Sequence, residues 1–172
     1  MISVEIVDSL VLNKVCWYML QRIFNFPFTF LDIVAFNAYI KNEMTLHPQT
    51  PINVVYDGVN YNYGNAYNRH SGFFTAPSDG LYVFTWRTYV AGNKMFNTRI
   101  QLNGEQKWVS NCDNRHNLGH GNCSNTVPLV LKTGDSVNIR TTTANFIYPV
   151  WSSFKGWRVQ KTSWYILCHF IL

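Results

Sequence analysis

Charge is scarce in this 172-residue chain: Asp, Glu, Lys and Arg make up only 13% of it, while hydrophobic residues reach 47%. A disordered chain needs the opposite balance, so a packed core is expected. The length suits one ordinary domain and is too short for two comfortable ones. Runs of like charge are also missing. The net charge of +5 comes from isolated residues, eleven Lys or Arg against six Asp or Glu between positions 35 and 159. A nucleic-acid footprint clusters its cations, so no nucleic-acid partner is expected. No uncharged apolar run approaches the ~18 residues that a membrane helix requires, which argues against membrane insertion. There is no Gly-X-Y repeat and therefore no collagen stalk.

The usual catalytic patterns are absent as well. The chain has no Gly-x-Ser-x-Gly, no His-Glu-x-x-His and no glycine-rich phosphate loop. None of the histidines His47, His70, His116, His120 and His169 has a carboxylate at a telling spacing. Exposed loop positions are the ordinary reading for the first four. No catalytic residue can be named, and an enzyme is not expected.

Residues 1–33 are apolar but interrupted by Glu5, Asp8, Lys14 and Arg22. A secretory leader has a basic start and an unbroken apolar stretch. This segment reads as an atypical leader or as the product of an incorrectly predicted first exon. Residues 160–172 form a short apolar tail.

Between these ends the texture is that of an all-β domain. Aromatics make up 16% of the chain and favour half-buried strands. Short alternating segments are separated by Gly, Pro, Asn and Asp. Strands are predicted at Ala35–Ile40, Ile52–Tyr56, Gly72–Pro77 and Leu81–Val90. Further strands are predicted around Ile100–Leu102, Trp108–Val109, Val127–Leu131, Val137–Ile139 and Trp151–Val159. In the longest, Tyr82, Phe84, Trp86, Thr88 and Val90 share one face because side chains alternate. That face is expected to be core. The opposite face, from Leu81 to Tyr89, is mixed and could meet another sheet or another subunit. Asn103-Gly104 is a hairpin turn signal. Eight to ten such segments suit two packed antiparallel sheets.

Tyr56, Asn62, Tyr67, Phe74, Gly80, Tyr82, Phe84 and Trp86 stand at the intervals of the complement C1q domain signature. The resemblance extends to Val34-Ala-Phe-Asn-Ala38, Asn103-Gly-Glu105, Leu129–Val137 and Ser153-Phe154-Lys-Gly156. Tyr56 stands where the family usually has Phe, and Trp86 where it has Phe or Tyr; both keep the ring. The chain thus resembles a head-only C1q domain, as in invertebrate immune relatives, over residues 34–159. The resemblance implies a ten-stranded antiparallel jelly-roll β-sandwich of the tumour necrosis factor type and assembly as a homotrimer. It also implies a secreted, extracellular protein that binds ligands through exposed loops.

The resemblance places Cys112 and Cys123 near the end of one strand and the start of its hairpin partner, which favours a disulfide stapling that hairpin. The run Cys112-x3-His116-x3-His120-x2-Cys123 also offers a tetrahedral zinc set, and free thiols are a third possibility. Asn122-Cys123-Ser124 is a glycosylation sequon, meaningful only if the chain is secreted. Family members can bind calcium, but Asp57, Asp79, Asp113 and Asp135 are isolated in sequence, so no cofactor is supported locally. Lectin-like binding of glycan or microbial ligands in innate immunity is the leading functional expectation. A tumour necrosis factor-like signalling ligand and a structural extracellular trimer are the alternatives, since fold does not fix function. The Asn- and Tyr-rich stretch 60–68 mildly favours a polar ligand.

Overall fold

The computed structural model describes residues 33–41, 52–141 and 148–161. The expectations for the N-terminal segment, His47, His169 and most of the C-terminal tail lie outside these residues.

The described residues form strands β1 (Ala35–Tyr39), β2 (Ile52–Asn53), β3 (Gly58–Tyr63), β4 (Tyr67–Asn68), β5 (Phe73–Thr75) and β6 (Gly80–Val90). These are followed by β7 (Thr98–Leu102), β8 (Glu105–Ser110), β9 (Gly121–Leu131), β10 (Ser136–Thr141) and β11 (Ser153–Lys161). They build two antiparallel sheets, one in the order β3-β1-β11-β6-β9 and one in the order β4-β5-β10-β7-β8, with β2 added to β10. This is the expected sandwich. The segment count exceeds ten because β2 and β4 are two-residue pairings on the margin of the second sheet.

The core lies between the sheets. In β6 every second residue is buried, which places Tyr82, Phe84, Trp86, Thr88 and Val90 inside. Phe36 sits at the centre, stacked on Tyr67 at 4.7 Å between ring centroids and meeting Phe154 edge-on at 4.9 Å. Phe74 and Phe84 meet edge-on at 5.1 Å. Each ring buried this way contributes about 2–3 kcal/mol by removing apolar surface from water. Where the rings crowd most there is no room for a side chain: a Cβ on Gly156 would lie 2.6 Å from both Phe36 and Phe84.

Two stretches depart from the expected strands. The segment expected over Ile52–Tyr56 is strand only to Asn53. Val54 and Tyr56 are fully buried, but the backbone of Tyr56 bonds to a side chain. Its N–H donates to Tyr67 Oη at 3.2 Å, and Tyr67 donates back to the Tyr56 carbonyl at 3.1 Å. Conversely, the polar run Gly58–Tyr63 is a strand, the edge of the first sheet paired with β1.

Candidate functional site

The sheet formed by β3, β1, β11, β6 and β9 has one face on the core and one turned away from it. Register defines the outward rows. One row runs Tyr63, Ala35, Trp157, Val83 and Pro128 from edge to edge. With Leu81 opposite Val130 beside it, it forms an apolar band. Trp157 is 41% and Val130 71% exposed, much apolar surface to leave in water. The next row is polar: Tyr61, Asn37, Lys155, Thr85 and Thr126. Beyond it, Arg87 stands between Ser153 and Ser124.

At the far end of this face, opposite the end at Ala35, four rings gather. Tyr89 stacks on His120 at 5.4 Å with 11° between planes and meets Tyr148 edge-on at 5.7 Å. Trp151 lies 5.7 Å from Tyr89, and His120 meets Tyr148 at 4.9 Å. Trp151 is 59% exposed. The turn that presents it is strained, because Val150, a β-branched residue, holds φ at +64°. Backbone bonds fix the turn: Tyr148 N–H donates to the Tyr89 carbonyl at 3.2 Å and Val150 N–H to the Ile40 carbonyl at 2.6 Å. His120 and Trp151 are exposed while Tyr89 and Tyr148 are half-buried, and flat rings with polar rims placed this way make a surface on which the apolar face of a small polar ligand can stack.

The signature residues lie elsewhere. Tyr56, Tyr67, Phe74, Tyr82, Phe84, Trp86 and Phe154 are buried between the sheets. Asn62 reaches from β3 and clamps Tyr67, donating to its carbonyl at 2.8 Å and accepting its N–H at 3.1 Å. Asn62, Tyr67 and Tyr56 are thus one hydrogen-bonded unit, which explains their spacing. Tyr82 donates to the Ser78 carbonyl at 2.8 Å, and Trp86 Nε1–H to Thr98 Oγ1 at 2.8 Å. Gly80 opens β6, buried and paired with Leu131. Within the Asn- and Tyr-rich stretch, Asn62 and Tyr67 are therefore scaffold. Tyr61 and Tyr63 are exposed and stack on each other at 5.5 Å.

Cys112 and Cys123 form a disulfide with Cα atoms 5.6 Å apart. The hairpin expectation is corrected: β8 and β9 are not partners but the edges of opposite sheets. The bond therefore clasps the two sheets along one open side, beside Asn125 Nδ2 donating to Ser110 Oγ at 2.6 Å. The zinc alternative is corrected with it, because the sulfurs are bonded to each other and are not thiolates. His116 and His120 are both exposed, and His120 is engaged by the aromatic cluster. Asn122 is exposed on β9, opposite Tyr89.

Among the described residues no group of three or more His, Cys, Asp or Glu converges on a metal position. The acids are spent on turns. Asp113 is bound by Arg115 at 2.6 Å, and hydrogen bonds from the Arg115 side chain and backbone hold it down to about 2. Asp79 accepts from Thr133 N–H at 2.7 Å and Thr133 Oγ1 at 2.8 Å, which lowers its pKa. Asp135 accepts from Asn103 Nδ2 at 2.8 Å and Lys132 N–H at 2.7 Å and is lowered for the same reason. No sequence signal identified the aromatic cluster, because its members come from three separate stretches of the chain, Tyr89, His120 and the pair Tyr148 and Trp151, and meet only at one end of the sheet.

Several solved structures share this fold. The globular domain of zebrafish complement 1qA protein is 17% identical with a TM-score of 0.60, covering 74% of this chain and 98% of that one. Murine APRIL is 10% identical with a TM-score of 0.59, covering 74% and 99%. Eiger TNF from S. frugiperda is 13% identical with a TM-score of 0.52, covering 76% and 94%. No curated protein matches the chain. The family model of the C1q domain matches residues 35–157, the span that holds both sheets and the signature residues, and the chain belongs to the C1q domain family.

Proposed function

We propose that this chain is a secreted, homotrimeric recognition protein that binds glycan or microbial-surface ligands and catalyses no reaction. The aromatic cluster of Tyr89, His120, Tyr148 and Trp151 carries the reading. Its rings offer stacking faces for the C–H face of a pyranose, and its hydroxyl and ring N–H groups offer polar contacts at the rim. The apolar band of Tyr63, Trp157, Val83 and Pro128 supports the trimer, since it is too wide to be left in water on a single copy. Three copies would present three aromatic clusters, and weak sugar binding at each would gain avidity on a repetitive surface.

The test is a glycan and microbial-surface array probed with the full chain and with the Trp151→Ala and Tyr89→Ala variants. Specific sugar signals that fall about tenfold or more in both variants support the reading, the loss expected when a stacking ring is removed. An array without signal, together with saturable binding to a cell-surface receptor, would overturn it in favour of a tumour necrosis factor-like ligand. Saturable binding to neither would leave the structural trimer as the reading.

A further inference from the structure

The outward face described above carries an unbalanced charge. The five strands β3, β1, β11, β6 and β9 contain no Asp or Glu. In the polar waist of their outer face stand two cations, Arg87 and Lys155, on neighbouring strands. They are diagonal to each other, because Arg87 faces Ser153 while Lys155 faces Thr85. Their cross-strand neighbours are hydroxyls and an amide: Ser153 and Ser124 beside Arg87, and Thr85 and Asn37 beside Lys155. Arg87 Nε is shielded from solvent and has no hydrogen-bond partner among the described residues. The two ion pairs among the described residues lie away from this sheet, Glu105 with Lys107 on β8 and Asp113 with Arg115 in the segment that follows it.

We propose that this waist is a binding site for a small oxyanion, completed when three copies close with this face turned inward; the inference rests on the trimeric reading above. The apolar band drives that closure, and closure draws the waist out of water. Cations removed from water without a counter-charge are strongly unfavourable. Three waists supply three guanidinium and three ammonium groups, with donors from the flanking hydroxyls and no carboxylate from these strands. A guanidinium fork and a ring of hydroxyls match the geometry of a sulfate or phosphate oxygen set. The anion offsets part of this charge and so acts as part of the assembly.

The experiment measures trimer dissociation of the full chain by analytical ultracentrifugation, in sodium sulfate and in sodium chloride at equal ionic strength. Sulfate at about ten times its own dissociation constant is expected to tighten the trimer about tenfold. The Arg87→Gln/Lys155→Gln variant is expected to trimerise more tightly than the parent in chloride and to change less than about twofold in sulfate. Lys155→Met, which keeps the aliphatic stem, serves as a milder variant and is expected to show an intermediate response. General exclusion of sulfate from protein surfaces strengthens association without a site, but it acts on parent and variants alike. An equal sulfate response in all three therefore overturns the site while leaving the trimer standing. A monomer in every buffer overturns the trimeric reading and the inward site together.

Discussion

Tyr56 and Tyr67 are chemically the same residue, yet their hydroxyls contribute in opposite directions. Tyr67 Oη closes the backbone of Tyr56 on both sides, accepting its N–H and donating to its carbonyl. Tyr56 Oη is buried without a partner among the described residues. A buried hydroxyl left unpaired costs about 1–3 kcal/mol, whereas a made hydrogen bond contributes about 1. Tyr56→Phe, which restores the residue usual at this place in the family, is therefore expected to raise stability by about 1 kcal/mol. Tyr67→Phe is expected to lower it by about 2 kcal/mol, because it strands two buried backbone groups. Urea unfolding of both variants checks the pair, and a destabilised Tyr56→Phe would mean that the hydroxyl has a partner after all. Burial, the largest cause in both, raises the two phenols well above the ordinary tyrosine range. In an alkaline absorbance titration both should stay un-ionised until the domain unfolds. Their roles were half legible in sequence. The spacing of Tyr56, Asn62 and Tyr67 marked the family, but only the fold shows that one amide and one phenol tie the three together.

Among the elements, legibility followed burial. The strand β6 is buried on one face and half-buried on the other, so its period-two pattern appears directly in the residues. The strand β3 is an edge with both Tyr61 and Tyr63 exposed, and its Asn-rich composition hides it. The first half of β9, Gly121–Thr126, escapes notice for the same reason: its partly buried side carries Cys123 and Asn125 where a strand pattern shows Val or Ile. The turns were easier to place than to understand. Asp79, in the turn before β6, reaches the turn between β9 and β10 and binds Thr133. Those bonds lower its folded pKa below the ordinary value of about 3.9. A depressed carboxylate adds stability that is present above the unfolded pKa and lost as pH falls through the folded one. Stability should thus decline with acid from about pH 4 downward. Asp79→Asn should be less stable than the parent at pH 7 and should lose part of that acid slope. Chemical unfolding at pH 7 and pH 3 measures both.

The clasp between Cys112 and Cys123 belongs to the same scale. It closes a short loop between the edges of opposite sheets. Constraining a loop of this length is expected to contribute about 2–3 kcal/mol. Reduction, or Cys112→Ala/Cys123→Ala, should lower the unfolding free energy by that amount and leave the far edge at β3 unaffected. Peptide mapping without reductant should recover the two cysteines in one linked fragment. Two alkylatable thiols with bound zinc would refute the clasp.

For the molecule as a whole, the deciding surface is the one the core does not use. Composition foretold a packed domain, and the mixed character of the face from Leu81 to Tyr89 hinted at a second contact. What sequence could not show is which residues of other strands join that face. Pairing β6 with β11 and β9 puts Trp157 and Pro128 on either side of Val83. Pairing β1 with β11 and β3 continues the row through Ala35 to Tyr63. If this band is where copies meet, a charge placed in it will separate them without harming the fold. Trp157 is well exposed on a single copy, so Trp157→Glu removes little from the core. An unpaired carboxylate enclosed in an interface costs about 3 kcal/mol or more, which is at least about 100-fold in association. The parent should scatter light as a trimer at micromolar concentration, and the variant as a monomer that still unfolds in one cooperative transition by far-ultraviolet circular dichroism, earlier than the parent by the stability that association adds. Trp151→Glu, at the aromatic end of the same sheet, should leave the trimer intact and lose ligand. If Trp151→Glu dissociates the molecule instead, the aromatic end is itself buried between copies, and the ligand surface must be sought on the outer loops.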